Sequence, residues 1–355
     1  MRISHLFAVS ALGVASLLGG PAQAQSSAPK KEFNVCWTIY AGWMPWDYAR
    51  AQGIVDKWAG KYGIKIKVTQ LNDYIESINQ YTAGQFDGCT MTNMDALTVP
   101  AAGGVDSTAL IAGSYSNGND GIVVKGDGKS VKDLKGLNIH LVQYSVSHYL
   151  LARALDTVGL RERDVKVVNT SDADIIAAYA TPRVQAAVTW NPQLSQMAAT
   201  PHVSKVFDSS KVPGEIIDLM VVNTATLKNN PALGKALTGA WFEVMALMKN
   251  NDAKALAYMA KASGGTLDNY KSQLTTTALF YNPADALAFT TSPKLPETMK
   301  RVAQFSFDKG LLGEGARSAD AVGISFPGAV VQGNPKNIKL RFDDQFLKLA
   351  KDGKL

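Results

Sequence analysis

The chain has 355 residues, of which 46% are hydrophobic and 19% are charged, and its formal net charge at pH 7 is +6. This composition is ordinary for a globular protein and excludes a disordered or fibrous chain. The basic residues are spread along the sequence instead of being clustered, which argues against nucleic acid as a partner and predicts a solvated surface.

The N-terminus has the pattern of an export signal. Arg2 supplies a positive charge, residues 6–18 form an apolar segment, and Ala22-Gln23-Ala24 matches a small-residue cleavage site. The apolar run is too short to span a bilayer. We therefore predict a cleaved signal peptide over residues 1–24, a mature chain beginning at Gln25, and a location in the periplasm.

Strands and helices alternate as far as residue 223. The predicted strands are 33–39, 64–69, 86–91, 108–113, 121–125, 137–142, 165–169, 184–190, 204–207 and 217–222. The predicted helices between them are 45–60, 73–83, 94–102, 146–158, 172–180 and 192–198. The remaining chain predicts only helices, at 231–249, 252–263, 267–277, 283–290, 295–310 and 342–351. Such alternation indicates βαβ units and mostly parallel sheets.

Aromatic side chains crowd into residues 35–49, which hold three of the six tryptophans and two of the twelve tyrosines. The pattern predicts a strand, a loop, and a helix with Pro45 in its first turn. Ligands bind at the carboxyl ends of strands in open α/β sheets, and aromatic rings there form walls for a small planar or cationic guest. We therefore predict that Trp37, Tyr40 and Trp43 bind ligand; the alternative is that the rings are core.

The two cysteines, Cys36 and Cys89, lie in apolar, strand-like runs that could be neighbours in one sheet. An exported protein permits a disulfide between them, but we favour two buried thiols. No spacing of Cys and His resembles a metal site, so we predict no metal and no cofactor.

Two segments, 123–131 and 209–217, have the glycines and prolines expected where a chain crosses between lobes. The chain would leave lobe one, build lobe two and return. We predict an α/β architecture of two lobes with mostly parallel sheets flanked by helices and a hinge of two crossovers. Lobe one would comprise residues 25–125 and 216–355, and lobe two residues 126–215.

The order of these parts resembles the periplasmic binding proteins of ABC importers for nitrate, sulfonates, taurine and thiamine precursors. The matching segments are 35–49, 84–88, 130–136, 184–192 and 213–218. The resemblance covers nearly the whole mature chain. It implies the two-lobe, type II binding-protein fold, a small-molecule ligand in the cleft and a membrane permease as partner. We also expect a monomer.

Within that family, residues 36–46 are similar to the subgroup associated with urea carboxylase systems. This similarity implies a urea-like ligand, with guanidine favoured over urea. Guanidinium is planar, always charged, and offers N–H donors around its edge but no acceptor. Its site needs carboxylates or carbonyls in the plane of the ligand and aromatic rings on its faces.

Several residues meet that demand, and each also has a structural explanation. The further predicted ligand-binding residues are Asn93, Asp95, Asp120, Trp190 and Asp218. Asn93 would otherwise cap a helix, Asp95 would favour the helix dipole, and Asp120 would belong to a turn. Asp218 lies in an apolar run, where a carboxylate requires a partner.

A helix predicted to start near residue 146 supports a different ligand, a small anion. Ser145 and Ser147, with the backbone N–H groups beside them, would suit a sulfonate, taurine or nitrate. No arginine accompanies them to clamp an oxyanion, so we favour a neutral or cationic guest. Asp172 and Asp174 are predicted to be cap and first-turn residues of their own helix.

Two other classes of function stay open at this point. The same fold family includes a pyrimidine-precursor synthase, but that enzyme works inside the cell, and this chain carries an export signal. The sequence also lacks a nucleophile elbow and a zinc-protease motif. We therefore predict a solute receptor that closes on its ligand, not an enzyme; a sensory domain serving a receptor kinase is the third possibility.

Overall fold

The computed structural model describes residues 30–355. The predicted signal peptide and the predicted mature terminus at Gln25 lie outside this range. None of the helices it describes combines the length and apolarity needed to cross a bilayer.

Two sheets organise the described chain, and their strands are numbered here in chain order. They are β1 Glu32–Thr38, β2 Lys65–Leu71, β3 Gly88–Thr92, β4 Ser107–Ser116, β5 Asp120–Lys125, β6 Asn138–Leu141, β7 Lys166–Asn169, β8 Ala186–Trp190, β9 Val203–Asp208, β10 Ile217–Asn223, β11 Thr277–Leu279, β12 Gly323–Phe326, β13 Val330–Gln332 and β14 Ile338–Phe342. The first sheet has the order β13-β12-β14-β4-β10-β3-β1-β2, with β11 paired to β4, and the second has the order β7-β6-β8-β5-β9. Each sheet organises one lobe.

Helices flank both sheets. They are α1 Met44–Ala51, α2 Ile54–Lys61, α3 Tyr74–Thr82, α4 Asn93–Ala96, α5 Val146–Asp156, α6 Ile175–Ala180, α7 Gln193–Ala198, α8 Thr224–Asn229, α9 Pro231–Lys249, α10 Ala253–Ala262, α11 Leu267–Thr275, α12 Pro283–Thr290, α13 Lys294–Asp308 and α14 Gln345–Lys351. The strands in the middle of the first sheet are covered on both faces, and every residue of β3 is buried.

The sheets are mixed, so the prediction of mostly parallel sheets is wrong. β1 runs parallel to β2 and β3, whereas β10 runs antiparallel to both β3 and β4. In the second sheet β5 runs antiparallel to β8 and β9. Two consecutive strands can pair in parallel only through a long crossover, which is usually an α-helix. β5 and β10 are the strands through which the chain enters each lobe, and no α-helix precedes either one in the crossover.

The first crossover lies earlier than the predicted division at residue 125. The strand from Asp120 to Lys125 is hydrogen-bonded into the second sheet, and Asp120 pairs with Trp190. The chain therefore passes between lobes at residues 117–119, between β4 and β5. It returns between β9 and β10.

The prediction of helices only after residue 223 is also wrong, because β11 to β14 complete the first sheet. These strands are only three to five residues long, and many of their residues are only partly buried. Such short segments carry little of the alternating apolar pattern by which a strand is recognised.

Cys36 and Cys89 form a disulfide, so the expectation of two buried thiols is wrong. The two residues are directly paired on the parallel strands β1 and β3, and their Cα atoms are 4.4 Å apart. Direct pairing points both side chains to the same face of the sheet, within bonding reach.

Candidate functional site

The register of the strands brings polar residues to the edges where the two sheets face each other. At the start of β10, Asp218 pairs with Thr92 at the end of β3 and with Ser114 near the end of β4. At the start of β5, Asp120 pairs with Trp190 at the end of β8. The sheet edges therefore deliver carboxyl groups from both lobes into one cleft.

A narrow cavity of about 10 Å³ lies in that cleft. Its walls are Tyr40, Trp43, Tyr74, Thr92, Asp120, Val146, Trp190 and Asp218. Pockets for drug-sized ligands have volumes of roughly 300–1,000 Å³. This cavity is far smaller, so a drug-sized ligand does not fit it.

Four aromatic rings form a continuous wall of the cavity. The ring centroids of Tyr40 and Trp43 are 5.0 Å apart, those of Trp43 and Tyr74 are 5.9 Å apart, and those of Tyr74 and Trp190 are 5.4 Å apart. All four side chains are buried, and the Nε1–H of Trp190 has no hydrogen-bond partner among residues 30–355. The wall is thus apolar on its faces and retains one free donor.

Asp218 is a buried carboxyl held by hydroxyl groups. Its Oδ2 accepts hydrogen bonds from the hydroxyls of Tyr40, at 3.0 Å, and Ser114, at 2.6 Å. Burial raises the pKa of Asp218 to about 8, with a further contribution from the charge of Asp120. The hydrogen bonds from the two hydroxyls lower the pKa of Asp218, but by less than the loss of water raises it.

Asp120 and Asp95 are buried in the same way. Burial raises the pKa of Asp120 to about 7, and the charge of Asp95 adds to this effect. Asp95 Oδ2 accepts hydrogen bonds at 2.7 Å from the Tyr74 hydroxyl and at 2.7 Å from the Thr92 hydroxyl. Burial nevertheless raises the pKa of Asp95 to about 6.

These three carboxyls have no basic partner within the part of the chain that the structure describes. No Lys, Arg or His of residues 30–355 forms an ion pair with Asp95, Asp120 or Asp218. The described residues also contain no cluster placed to hold a metal ion. Buried charges in proteins are normally paired. The described part of the chain therefore supplies no positive charge to these three carboxyls.

At the N-terminus of α5, one serine hydroxyl is used as a cap, whereas the buried Ser147 hydroxyl has no hydrogen-bond partner among residues 30–355. Ser145 Oγ donates to the carbonyl of Val142 at 2.7 Å and accepts from the N–H of Ser147 at 3.2 Å, so this hydroxyl caps the helix. The backbone N–H of Val146 lies close enough to Asp95 to lower the pKa of that carboxyl. An acidic side chain thus faces the helix end where an anionic ligand would bind.

The predicted site residues divide into three groups: those that line the cavity, one that lies behind its wall, and those that do not reach it. Tyr40, Trp43, Asp120, Trp190 and Asp218 line the cavity. Asp95 contacts two lining residues, Tyr74 and Thr92, from behind.

Trp37, Asn93 and Ser145 do not line the cavity. Trp37 is fully buried within β1. The Asn93 amide binds the second crossover: its Nδ2 donates to the Glu215 carbonyl at 3.1 Å, and its Oδ1 accepts from the Ile217 N–H at 3.0 Å. Thr92, not Asn93, caps α4.

Three lining residues, Tyr74, Thr92 and Val146, were not among the predicted site residues. Tyr74 had a detectable signal, because it directly follows the N-cap Asp73 at the predicted start of a helix that comes after a parallel strand. That is the same kind of position as the aromatic loop after β1. Thr92 and Val146 carry no such signal, because threonine and valine are common at strand ends and helix starts.

Comparison with known proteins gives a family match and several relatives. A family model described as NMT1/THI5 like matches residues 58–255. The putative aliphatic sulfonates-binding protein of Escherichia coli is 27% identical over 136 residues, which cover 38% of this chain and 42% of that protein. The taurine-binding periplasmic protein of the same organism is 27% identical over 144 residues, 39% of this chain and 44% of that protein. The matched region therefore spans less than half the length of these curated relatives.

Solved structures show the fold more completely. The alkanesulfonate-binding protein SsuA from Xanthomonas axonopodis pv. citri, bound to MOPS, has a TM-score of 0.68 at 17% identity, covering 83% of this chain and 99% of that one. The periplasmic nitrate-binding protein NrtA from Synechocystis PCC 6803 has a TM-score of 0.57 at 12% identity, covering 93% of this chain and 100% of that one. These similarities confirm the predicted two-lobe, periplasmic-binding-protein fold.

Proposed function

The chain belongs to the NMT1/THI5-like family, and from that premise we propose that it is the periplasmic solute-binding component of an ABC importer. It captures a small planar cation, guanidinium, between its lobes as a monomer and presents the closed form to a membrane permease. The observation that carries this proposal is the set of three buried carboxyls, without a basic partner in residues 30–355, around a small aromatic cavity.

The chemistry of guanidinium matches the cavity walls. Its N–H groups are donors around the whole edge of the ion, and Asp120 and Asp218 supply acceptor oxygens from opposite lobes. Its flat faces are apolar enough to lie against rings such as Trp43 and Trp190, where a cation gains roughly 0.5–2 kcal/mol. Binding would supply the positive charge that these carboxyls lack.

Urea has a similar size and shape but is neutral. It would satisfy some acceptors, and its carbonyl oxygen could accept from the unpartnered Trp190 Nε1–H. At pH values where the carboxyls are ionised, urea would leave them without a counter-charge in a buried site, which is costly. Guanidine is therefore favoured over urea.

The second candidate is a small anion, which the names of the relatives support. Those proteins are described as binding aliphatic sulfonates, taurine or nitrate. In this chain a sulfonate or nitrate would lie against Asp120 and Asp218, and Asp95 faces the N-terminus of α5. Like charges in a buried site repel strongly, so the local chemistry favours a ligand different from those in the names.

An enzymatic role related to pyrimidine-precursor synthesis is the alternative of another class. The curated relatives reported above are named as binding proteins, which supports binding without catalysis. Capture and release of guanidinium require only that the lobes close and open.

Calorimetric titration tests the ligand. Guanidinium chloride, urea, taurine and nitrate are titrated into the protein at matched ionic strength, together with the variants Asp120→Asn and Asp218→Asn. Guanidinium should bind saturably, and each variant should bind it at least about tenfold more weakly, since a charge-assisted hydrogen bond is lost. Asp56→Asn removes the same charge from an exposed position on α2 and should bind like the wild type. Binding of taurine or nitrate alone would refute the cationic ligand.

A further inference from the structure

Asp172 makes a contact that its position in the chain does not suggest. It lies in lobe two, in the turn between β7 and α6, and is 5% exposed. Its Oδ1 accepts a hydrogen bond at 3.0 Å from the backbone N–H of Tyr74, which is 98 residues away in lobe one. Its neighbour Asp174 bonds locally, to the Ser171 hydroxyl at 2.9 Å. The prediction that Asp172 serves its own helix is therefore wrong.

Tyr74 is the first residue of α3, where backbone N–H groups have no partner inside the helix and the dipole favours negative charge. Asp73 already caps this helix, but it accepts from the N–H of Glu76 at 2.8 Å. The Tyr74 N–H is thus left for Asp172. The two carboxylates serve different groups of one helix end, one from each lobe.

The same tyrosine is central to the ligand cavity. Its hydroxyl donates to Asp95 at 2.7 Å, and its ring contacts Trp43 and Trp190. A hydrogen bond that holds the Tyr74 backbone therefore also holds the Tyr74 ring in the cavity wall. It likewise holds the Tyr74 hydroxyl in position to donate to Asp95.

We infer that Asp172 is a positioning residue that latches the closed lobes by accepting the Tyr74 N–H, and so raises ligand affinity without touching the ligand. The inference rests on the proposed function in that closure accompanies ligand capture. A bond between lobes forms only when they are closed, so its free energy adds to ligand binding and not to the stability of the open protein.

The charges around Asp172 set its dependence on pH. The acidic groups facing it are Asp73 of lobe one and Asp174 of its own turn. Burial, followed by these two charges, raises the pKa of Asp172 to about 6, against the lowering effect of the Tyr74 N–H. A protonated carboxyl is a weaker acceptor, so the latch should weaken as the pH falls through this value.

The test compares Asp172→Ala and Asp172→Asn with the wild type, with Asp174→Ala as the matched control in the same turn. Guanidinium affinity at about pH 8 should fall about tenfold or more in Asp172→Ala. It should fall less in Asp172→Asn, which keeps an acceptor oxygen, and should not change in Asp174→Ala. The thermal midpoint of the ligand-free protein should be the same for Asp172→Ala and the wild type, which a merely structural role would not allow. The difference in guanidinium affinity between the wild type and Asp172→Asn should become smaller as the pH is lowered towards about 5.

Equal guanidinium affinity in Asp172→Ala and the wild type would overturn the inference. So would a loss of ligand-free stability as large as the loss of affinity. If the wild type does not bind guanidinium, the proposed function fails instead. Urea or taurine, whichever the wild type binds, is then titrated into the same variants, and an unchanged affinity in Asp172→Ala overturns the latch.

Discussion

The carboxyl groups of Asp95, Asp120 and Asp218 share one electrostatic situation. Each has lost its water, and burial favours the neutral form of each, which is why their pKa values rise to about 6, 7 and 8. Their hydrogen bonds to hydroxyl groups fix their orientation without supplying a positive charge. At the scale of single residues, the proposed preference for a cation rests on the lack of a basic partner for these carboxyls within residues 30–355.

The first prediction concerns the pH dependence of binding. A cation binds the ionised carboxylates, whereas protons occupy part of this set near neutral pH because the pKa values are raised. Guanidinium affinity should therefore fall as the pH is lowered from about 9 to about 5, and binding near pH 7 should release protons. Calorimetry in buffers with different enthalpies of ionisation measures that release. An affinity that stays constant over this range would contradict the role of the carboxylates.

The second prediction separates stability from binding at Asp218. A carboxyl whose pKa is raised on folding contributes stability at low pH that is lost as the pH rises towards about 8. Asp218→Asn cannot ionise and still offers an oxygen to Tyr40 and Ser114. The ligand-free variant should be more stable than the wild type at about pH 9, by on the order of 1 kcal/mol or more, and similar near pH 4.

Urea denaturation at both pH values measures this difference. A variant that is less stable than the wild type at the higher pH would show that the Asp218 carboxylate is well accommodated without ligand. In that case the charge argument for a cation would lose its basis at this residue.

At the scale of elements, local patterns predicted some features of the sheets and missed others. The aromatic strand, loop and helix over residues 35–49 correspond to β1 and α1. Strand direction was predicted wrongly for β5 and β10, because an apolar run looks the same whether its neighbour is parallel or antiparallel. The short strands β11 to β14 were missed because three to five residues carry too little periodicity.

The same reasoning explains which site residues were predicted. Trp43, Asp120 and Asp218 stand out locally, as an aromatic ring in a loop or as acids at the edge of an apolar strand. The pairing of Asp172 with Tyr74 joins residues 98 positions apart. Local patterns do not encode such a contact, since it depends on how the lobes meet.

The third prediction concerns the disulfide that joins β1 to β3. Cys36 and Cys89 are separated by 53 residues, and closing a loop of that length stabilises a protein by about 4 kcal/mol in the chain-entropy model. The double variant Cys36→Ala/Cys89→Ala should lose free energy of unfolding of this order. Chemical denaturation with and without a reductant measures the effect. Equal stability of the wild type under both conditions would contradict a structural role for the bond.

At the scale of the whole molecule, the two lobes are in contact across the cleft. The Ala41 N–H donates to the Asn191 carbonyl at 3.2 Å, and Lys309 pairs with Glu162 on the opposite lobe. Both contacts cross between the lobes, as does the bond of Asp172 to Tyr74. Closure removes water from the cavity, which strengthens every charge contact inside it. Under the proposed function, the protein would bind tightly when closed and release its ligand when the permease opens it.

The most direct test of the central claim is a crystal structure of the protein grown with guanidinium and, separately, with taurine. We expect guanidinium in the cleft cavity, with its N–H groups about 3 Å from the carboxyl oxygens of Asp120 and Asp218 and its faces against aromatic rings. Taurine should not occupy this cavity. A taurine sulfonate at the N-terminus of α5, with guanidinium absent from the cleft, would contradict the account.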